Sequence, residues 1–442
     1  MRVWQRRSRE AAAFAAVAMV VASCSSAPPP TAESSQPSAP AGTTAAPASA
    51  GLEEVDVQVP DDLGAAPFDA PRKAKVPKGW SLSVWARTSK PRLLAWAPDG
   101  NLLVSVPSAG QVLRFEPTGA GPLENTLLTG LDQPHGLTFA GPTLYVAESD
   151  QIDAYDYAGG AATAQRTIAP GLPDAKSPDL RGAYSHALKS VAVGPDGAVY
   201  FSIGSTGNVS VEDRTATPPR ATIMRIPPGG GPAEPFATGV RNGTGLAVAP
   251  DGSVWTAVNN RDNIAVPDPG PDYGRVVPDY VDDHPRESLA KLVPGRELGW
   301  PYCNPDGGPA DLPFVRDVQT NADGQFLDCA SLPPVEQSFG AHSAPLGLSF
   351  TNGGLPAPYD RGALVGVHGS WNRQNPQEPD VSFFPWQDGG LGDQQTLVGG
   401  FQSEDGSRWG RPVSAVAGPD GGAIYVSDDY ADAIYRLAPP AG

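Results

Sequence analysis

A phrase of two short apolar runs joined by a tight turn recurs six times, and no other feature restricts the fold as much. Four copies turn on Pro-Asp-Gly: Pro98-Asp99-Gly100, Pro195-Asp196-Gly197, Pro250-Asp251-Gly252 and Pro419-Asp420-Gly421. Two degenerate copies use Gly141-Pro142 and Asp360-Arg361-Gly362. Proline presets φ for a turn and glycine supplies positive φ, so each phrase reads as a β-hairpin. A hairpin unit repeated every 40–55 residues or so (roughly) is a small sheet that cannot bury both faces alone, which points to a propeller. Six phrases predict an all-β, six-bladed β-propeller, with function at one mouth of its central channel.

The beginning of the chain reads differently. Arg2, Arg6, Arg7 and Arg9 precede an apolar stretch from Ala11 to Ala22, too short to span a bilayer comfortably. Val21-Ala22-Ser23-Cys24 then resembles a bacterial lipobox. Residues 1–23 are expected to be a lipoprotein signal peptide, with Cys24 the lipidated residue. The alternative is a plain secretory signal with an incidental cysteine; both readings export the chain. Residues 24–75 are expected to be a disordered tether, because residues 25–60 are rich in Pro, Ala, Ser and Thr and carry few large apolar side chains. The propeller domain is expected over 76–442. The location that follows is the cell envelope, on the extracytoplasmic side, held to the membrane by the N-terminal lipid only.

Net charge is −17, and removing the leader, with its four Arg and one Glu, takes it to about −20. That excludes nucleic acid as a partner and argues against electrostatic binding to anionic lipid. Cys303 and Cys329, in the long insertion between the fourth and fifth phrases, are expected to form a disulfide in an exported chain. By loop-entropy reasoning such a bridge contributes about 3 kcal/mol. The fold expected is therefore a propeller with a disulfide-closed insertion between blades 4 and 5.

Upstream of each turn, where the innermost strand of a blade begins, stands a cation or a histidine. Arg92, His135, His186, Arg241, His342 and Arg411 share this phase although they are spread over most of the domain. Such a ring in an acidic protein implies an anionic ligand, since clustered cations are costly without a counter-charge. The alternative is that each Arg pairs with a blade carboxylate. The mouth also reads as poor in carboxylates, with Glu148 and Asp150 out of phase.

At these residues the sequence resembles the pyrroloquinoline-quinone (PQQ) dependent sugar dehydrogenases of the soluble glucose and sorbosone dehydrogenase type, which are six-bladed propellers. The motifs, in order, are Gly130-Leu131-Asp132-Gln133-Pro134-His135-Gly136-Leu137, His186 with Lys189-Ser190, Gly239-Val240-Arg241-Asn242, Gly299-Trp300-Pro301-Tyr302, His368-Gly369-Ser370-Trp371-Asn372-Arg373 and Gly410-Arg411-Pro412-Val413. The resemblance implies hydride transfer from an aldose or sorbosone-type sugar to PQQ, with His186 as catalytic base. It implies Arg241, Asn242 and Arg411 as cofactor-binding residues, and His135 and His342 lining the cofactor or sugar pocket. Calcium is expected near Asn260 and Asp262, although the Gly-Pro-rich turn that carries it in the family is missing here. Trp300 and Tyr302 either stack on a ligand or pack in the core. A small sugar substrate and a separate electron acceptor complete the expected partners, since the chain has no CxxCH haem motif. Two other classes stay open: a propeller that binds carbohydrate or protein without chemistry, and a calcium-dependent lactonase.

Overall fold

The four Pro-Asp-Gly turns share one local structure. In each, the glycine N–H closes the turn on the carbonyl three residues back: Gly100 on Ala97, Gly197 on Gly194, Gly252 on Ala249 and Gly421 on Gly418, at 2.8–3.0 Å. The Asp carboxylate accepts the backbone N–H two residues on, from Asn101, Ala198, Ser253 or Gly422. The glycines have φ of 66–86°. Proline, aspartate and glycine thus each supply one required part of the turn. The fifth copy departs from expectation. Its reversal falls over 353–360, and Gly362 lies in the following strand, where a Cβ would meet Phe383 and the Phe384 carbonyl at 2.4 Å.

The computed structural model describes residues 51–440 apart from 181 and 309. It is a six-bladed propeller. Blade 1 orders Leu94–Trp96, Leu102–Val106, Gln111–Glu116 and Leu123–Thr129 from the channel outward. Blades 2 to 5 begin at Gly136–Ala140, Val191–Val193, Gly245–Val248 and Pro345–Asn352. Blade 6 orders Pro412–Ala417, Ile424–Asp428 and Ala433–Ala438, and takes its outer strand, Ser81–Arg87, from the start of the domain. Among the described residues one α-helix appears, Pro278–Asp283.

Neighbouring blades are stitched near the channel. Gly136 N donates to Lys189 O, Ser190 Oγ to Thr244 O, Asn259 Nδ2 to Pro345 O, Ser349 Oγ to Ala415 O and Ser427 Oγ to Arg92 O. The second strands Leu102–Val106, Val199–Ile203 and Val254–Val258 are buried at every position. Flanking blades cover both their faces, so they read as continuous apolar runs rather than alternating ones.

Two boundaries are refined. Residues before 76 are already part of the fold: Leu52–Asp56 pairs with Lys73–Pro77, and Val57 and Phe68 are buried. Phe68 meets Trp409 and Tyr435 edge-on, at ring distances of 6.3 and 6.1 Å. The expected signal peptide, Cys24 and the first part of the expected tether lie outside the described residues. Cys303 and Cys329 form the expected disulfide. The insertion that carries it leaves blade 4 after the third strand, Glu287–Leu292, and returns as the fourth, Val335–Phe339. On the way, Arg296–Glu297 joins the outer strand of blade 3, Glu234–Thr238, in parallel.

Candidate active site

In every blade the first strand starts, and the second strand ends, at the same mouth. Pairing shows it directly: Gly136 lies opposite Ala147, Gly245 opposite Ala257, Pro345 opposite Val367 and Pro412 opposite Asp428. The residues after second strands therefore join those before first strands. This corrects the expectation of a mouth poor in carboxylates, because Glu148, Asp150, Asp262 and Asp429 all follow second strands. Glu148 accepts the Asp132 backbone N–H, and burial pushes its carboxyl up to about 7.

Two bonded clusters result. In the first, Asn208 ties Arg241 to Asp262. Its Oδ1 accepts from Arg241 Nη2 at 3.0 Å and from Asp262 N at 2.7 Å. Arg241 Nη1 also donates to Asn259 O at 3.1 Å. The Asp262 carboxylate receives Arg241 at 3.5 Å, His342 Nδ1 at 3.4 Å and Asn372 Nδ2 at 3.1 Å. Burial works against the Asp262 charge, but His342 and Arg241 outweigh it and hold its pKa below the usual range. His342 Nε2 faces the carbonyls of Val281 and His284 at 2.8 and 3.1 Å. Both its ring nitrogens thus face acceptors, an arrangement that favours the doubly protonated imidazolium. Burial opposes that charge, yet Asp262 and Glu287 raise its pKa. Its φ of 59° is left-handed, a conformation that costs a non-glycine residue free energy and that the surrounding bonds must hold.

His186 borders this cluster. Its Nδ1 lies 3.0 Å from Ser205 O and 2.8 Å from Ser205 Oγ, whose own hydrogen goes to Gly207 O. Nδ1 therefore holds the proton and Nε2 keeps a lone pair. Burial, then Arg241, pulls its pKa down to about 3, so the ring is neutral.

The second cluster centres on Asp429. It takes Arg92 Nη1 at 2.7 Å and His368 Nε2 at 2.8 Å. Burial opposes its charge, but His368 and Arg92 hold its pKa well below the usual range. Burial pulls His368 down to about 4 despite that partner. Arg411 donates from Nε to His368 O and from Nη2 to Gly369 O, at 2.8 and 3.2 Å. Among the described residues Arg411 has no carboxylate on its guanidinium. The loop from His368 to Asn372 joins the clusters, with His368 in one and Asn372 in the other.

Not every predicted residue lines the opening. His135 is fully buried, with Nδ1 3.2 Å from Lys189 O, so it serves the core rather than the pocket expected of it. Asn260 donates to Arg286 O and Ser288 Oγ, while Asp262 serves the first cluster; no bond brings the two together as a ligand pair. The Asp262 carboxylate already faces two cations and an amide, so this donor set does not fit a calcium ion. Asn242 is half-buried, and no side-chain bond holds it among the described residues. Trp300 is 2% exposed and donates to Asn208 O at 3.2 Å, a supporting role behind the cluster. Tyr302 stacks on Phe326. His284 is half-buried, stacked on Tyr280 and paired with Asp306 at 3.2 Å. Sequence reasoning missed Asn208 and Asp429 and had Asn372 only within a motif. Lys189 was noted only as part of a motif. It is fully buried, with Nζ on the carbonyls of Ser149, Pro173 and Ala187, and burial pulls its pKa down to about 7.

The sequence profile described as TrAA12-like matches residues 74–439, most of the chain. The chain belongs to the TrAA12-like family. The resemblance carried by the motifs is thus borne out. A pyrroloquinoline quinone-dependent pyranose dehydrogenase of Coprinopsis cinerea is 25% identical over 411 residues, covering 80% of this chain and 52% of that protein. The chain spans about half the length of that relative. Among solved structures, the holo PQQ domain of pyranose dehydrogenase from the same fungus superposes with a TM-score of 0.68, at 21% identity, over 83% of this chain and 97% of that one. A calcium structure of a Trichoderma reesei family AA12 enzyme superposes with a TM-score of 0.65, at 20% identity, over 82% and 96%. At these identities the two likenesses show the fold alone.

Proposed function

We propose that this chain is a PQQ-dependent sugar dehydrogenase that oxidises an aldose or sorbosone-type sugar. The observation that carries the reading is a charge imbalance beside a neutral base. Four cations, Arg92, Arg241, Arg411 and His342, meet two carboxylates, Asp262 and Asp429, in the bonded clusters next to His186. The surplus suits a polycarboxylate such as PQQ, and Arg411, bonded only to carbonyls, is the freest clamp. Once bound, the quinone supplies the hydride acceptor. His186 Nε2 takes the hydroxyl proton of the sugar, while Ser205 holds the ring in the required tautomer. Asn208 and Asn372 fix the angles at which Arg241 and Asp262 face the opening. Calcium enters this reading from relatives, and no step is routed through it.

The reading includes export and a lipid at Cys24, supported by the basic leader, the short apolar stretch and the lipobox-like Val21-Ala22-Ser23-Cys24. Electrons then pass to a separate acceptor.

The test is a visible-absorbance titration of purified apoprotein with PQQ, with and without calcium, followed by dye reduction with a panel of aldoses. Saturable uptake at micromolar PQQ and sugar-dependent reduction are expected; no uptake ends the proposal. A second reading, a propeller that binds sugar without chemistry, is favoured by the carboxylate partners that Arg92 and Arg241 already have. Sugar binding with no PQQ uptake would select it.

A further inference from the structure

Nine large apolar side chains are exposed among the described residues. Six of them, Val209, Val211, Tyr273, Val276, Trp371 and Tyr430, lie in loops that follow second strands, which puts them on the face that holds both clusters. Trp371 is the most exposed, at 74%, and Tyr430 is 54% exposed. They follow His368 and Asp429 along the chain by three residues and one.

The loop carrying Trp371 is pinned. Gly369 N donates to Ser343 O at 2.8 Å and Ser370 N to Gln377 O at 3.1 Å. Beyond the indole, Asn372 Nδ2 holds Asp262, Arg373 Nη1 donates to Ala341 O at 3.1 Å and Gln374 N to Asp282 at 2.8 Å. A fixed frame therefore presents the indole to solvent. A flat, exposed aromatic face held on a fixed frame suits the C–H face of a pyranose ring.

We infer that Trp371, with Tyr430, is a stacking platform for a second sugar ring, so that the site takes an oligosaccharide chain end rather than a lone monosaccharide. The inference rests on the sugar dehydrogenase reading. The platform stands outside the clusters, one residue from Asn372, so a ring on it leaves the inner opening for the ring that reacts.

The test is calorimetric binding to the full chain without PQQ, using maltotriose, cellotriose and xylotriose against glucose and xylose. At least one trisaccharide should bind about tenfold tighter than its monosaccharide, about 1.4 kcal/mol. Trp371→Ala should erase that advantage, Trp371→Phe should retain most of it, and Tyr430→Ala should reduce it. With the loaded protein, Trp371→Ala should raise KM for the trisaccharide and leave monosaccharide turnover unchanged. No trisaccharide advantage, or an advantage that survives Trp371→Ala, overturns the inference. Slower turnover of Trp371→Ala with a protein acceptor but not with a dye also overturns it, in favour of a redox-partner surface. Binding is read without cofactor, so absence of dehydrogenase activity would sink the proposed function and leave this result to be judged separately.

Discussion

Arg241 and Asp262 approach no closer than 3.5 Å, although Asn208 Oδ1 bonds to both residues. The guanidinium is thus held in place by an amide and two carbonyls more than by its carboxylate, and its charge is only partly offset. Replacing Arg241 or Arg411 with lysine keeps the charge and removes the fork. A charge-assisted hydrogen bond contributes about 1.5–3 kcal/mol. Each variant should bind PQQ about 10–150-fold more weakly in the absorbance titration. Unchanged affinity in both would rule out the clamp.

His186→Ala should lower turnover about 10²–10⁴-fold while PQQ uptake stays near the wild-type level. Because burial and Arg241 hold this ring neutral down to about pH 3, kcat/KM should show no acid limb from it between pH 5 and 7. An acid limb near pH 6.5 that disappears in His186→Gln would show a base with an ordinary pKa instead.

Stability should carry the mark of His135. Burial, then Arg92, pulls its pKa to about 3 in the folded chain. Between that value and the unfolded 6.5 the unfolded state binds more protons, so this residue's contribution is lost as pH falls through that window. From pH 7 to pH 4 the loss is about 3 kcal/mol. Urea unfolding of the His135→Asn variant should show a loss on acidification smaller by about that amount; identical pH dependence would refute it.

Lys189→Met removes the one cation that satisfies the carbonyls of Ser149, Pro173 and Ala187. Leaving buried partners unmatched costs about 3–5 kcal/mol. Since Ala187 adjoins His186, the variant should also lose turnover at temperatures where it is still folded. A variant as stable and as active as the parent would show that Lys189 holds nothing together.

Cys24→Ala should move the protein from the membrane pellet to the soluble fraction of cells that make it. Equal pelleting of both forms would contradict the lipid anchor.

The propeller was legible because its turns demand particular residues: proline, aspartate and glycine at Ala97–Gly100 each answer a separate backbone requirement. Half of the mouth was legible for the same reason, since phase along first strands placed Arg92, His186, Arg241, His342 and Arg411. The other half was not. Antiparallel pairing brings the ends of second strands to the same opening, so Asp429 and Asn372 arrive out of phase with the repeat. Asn208 lies on a loop with no periodicity. The early start of the fold did have a signal: Val55, Val57 and Val59 alternate as strand residues do, masked by the Pro/Ala/Ser-rich stretch before them. His135 shares the phase of its neighbours but faces the core, and only packing tells those directions apart.

Ser83 bonds to Arg436 across 353 residues of sequence. The outermost strand of blade 6 is therefore made early and must wait for partners that are made last. A nascent chain that stops short of Ala433 keeps a bare strand edge on offer to other chains. Its folding depends on delaying contact with neighbours until the two ends of the domain can meet.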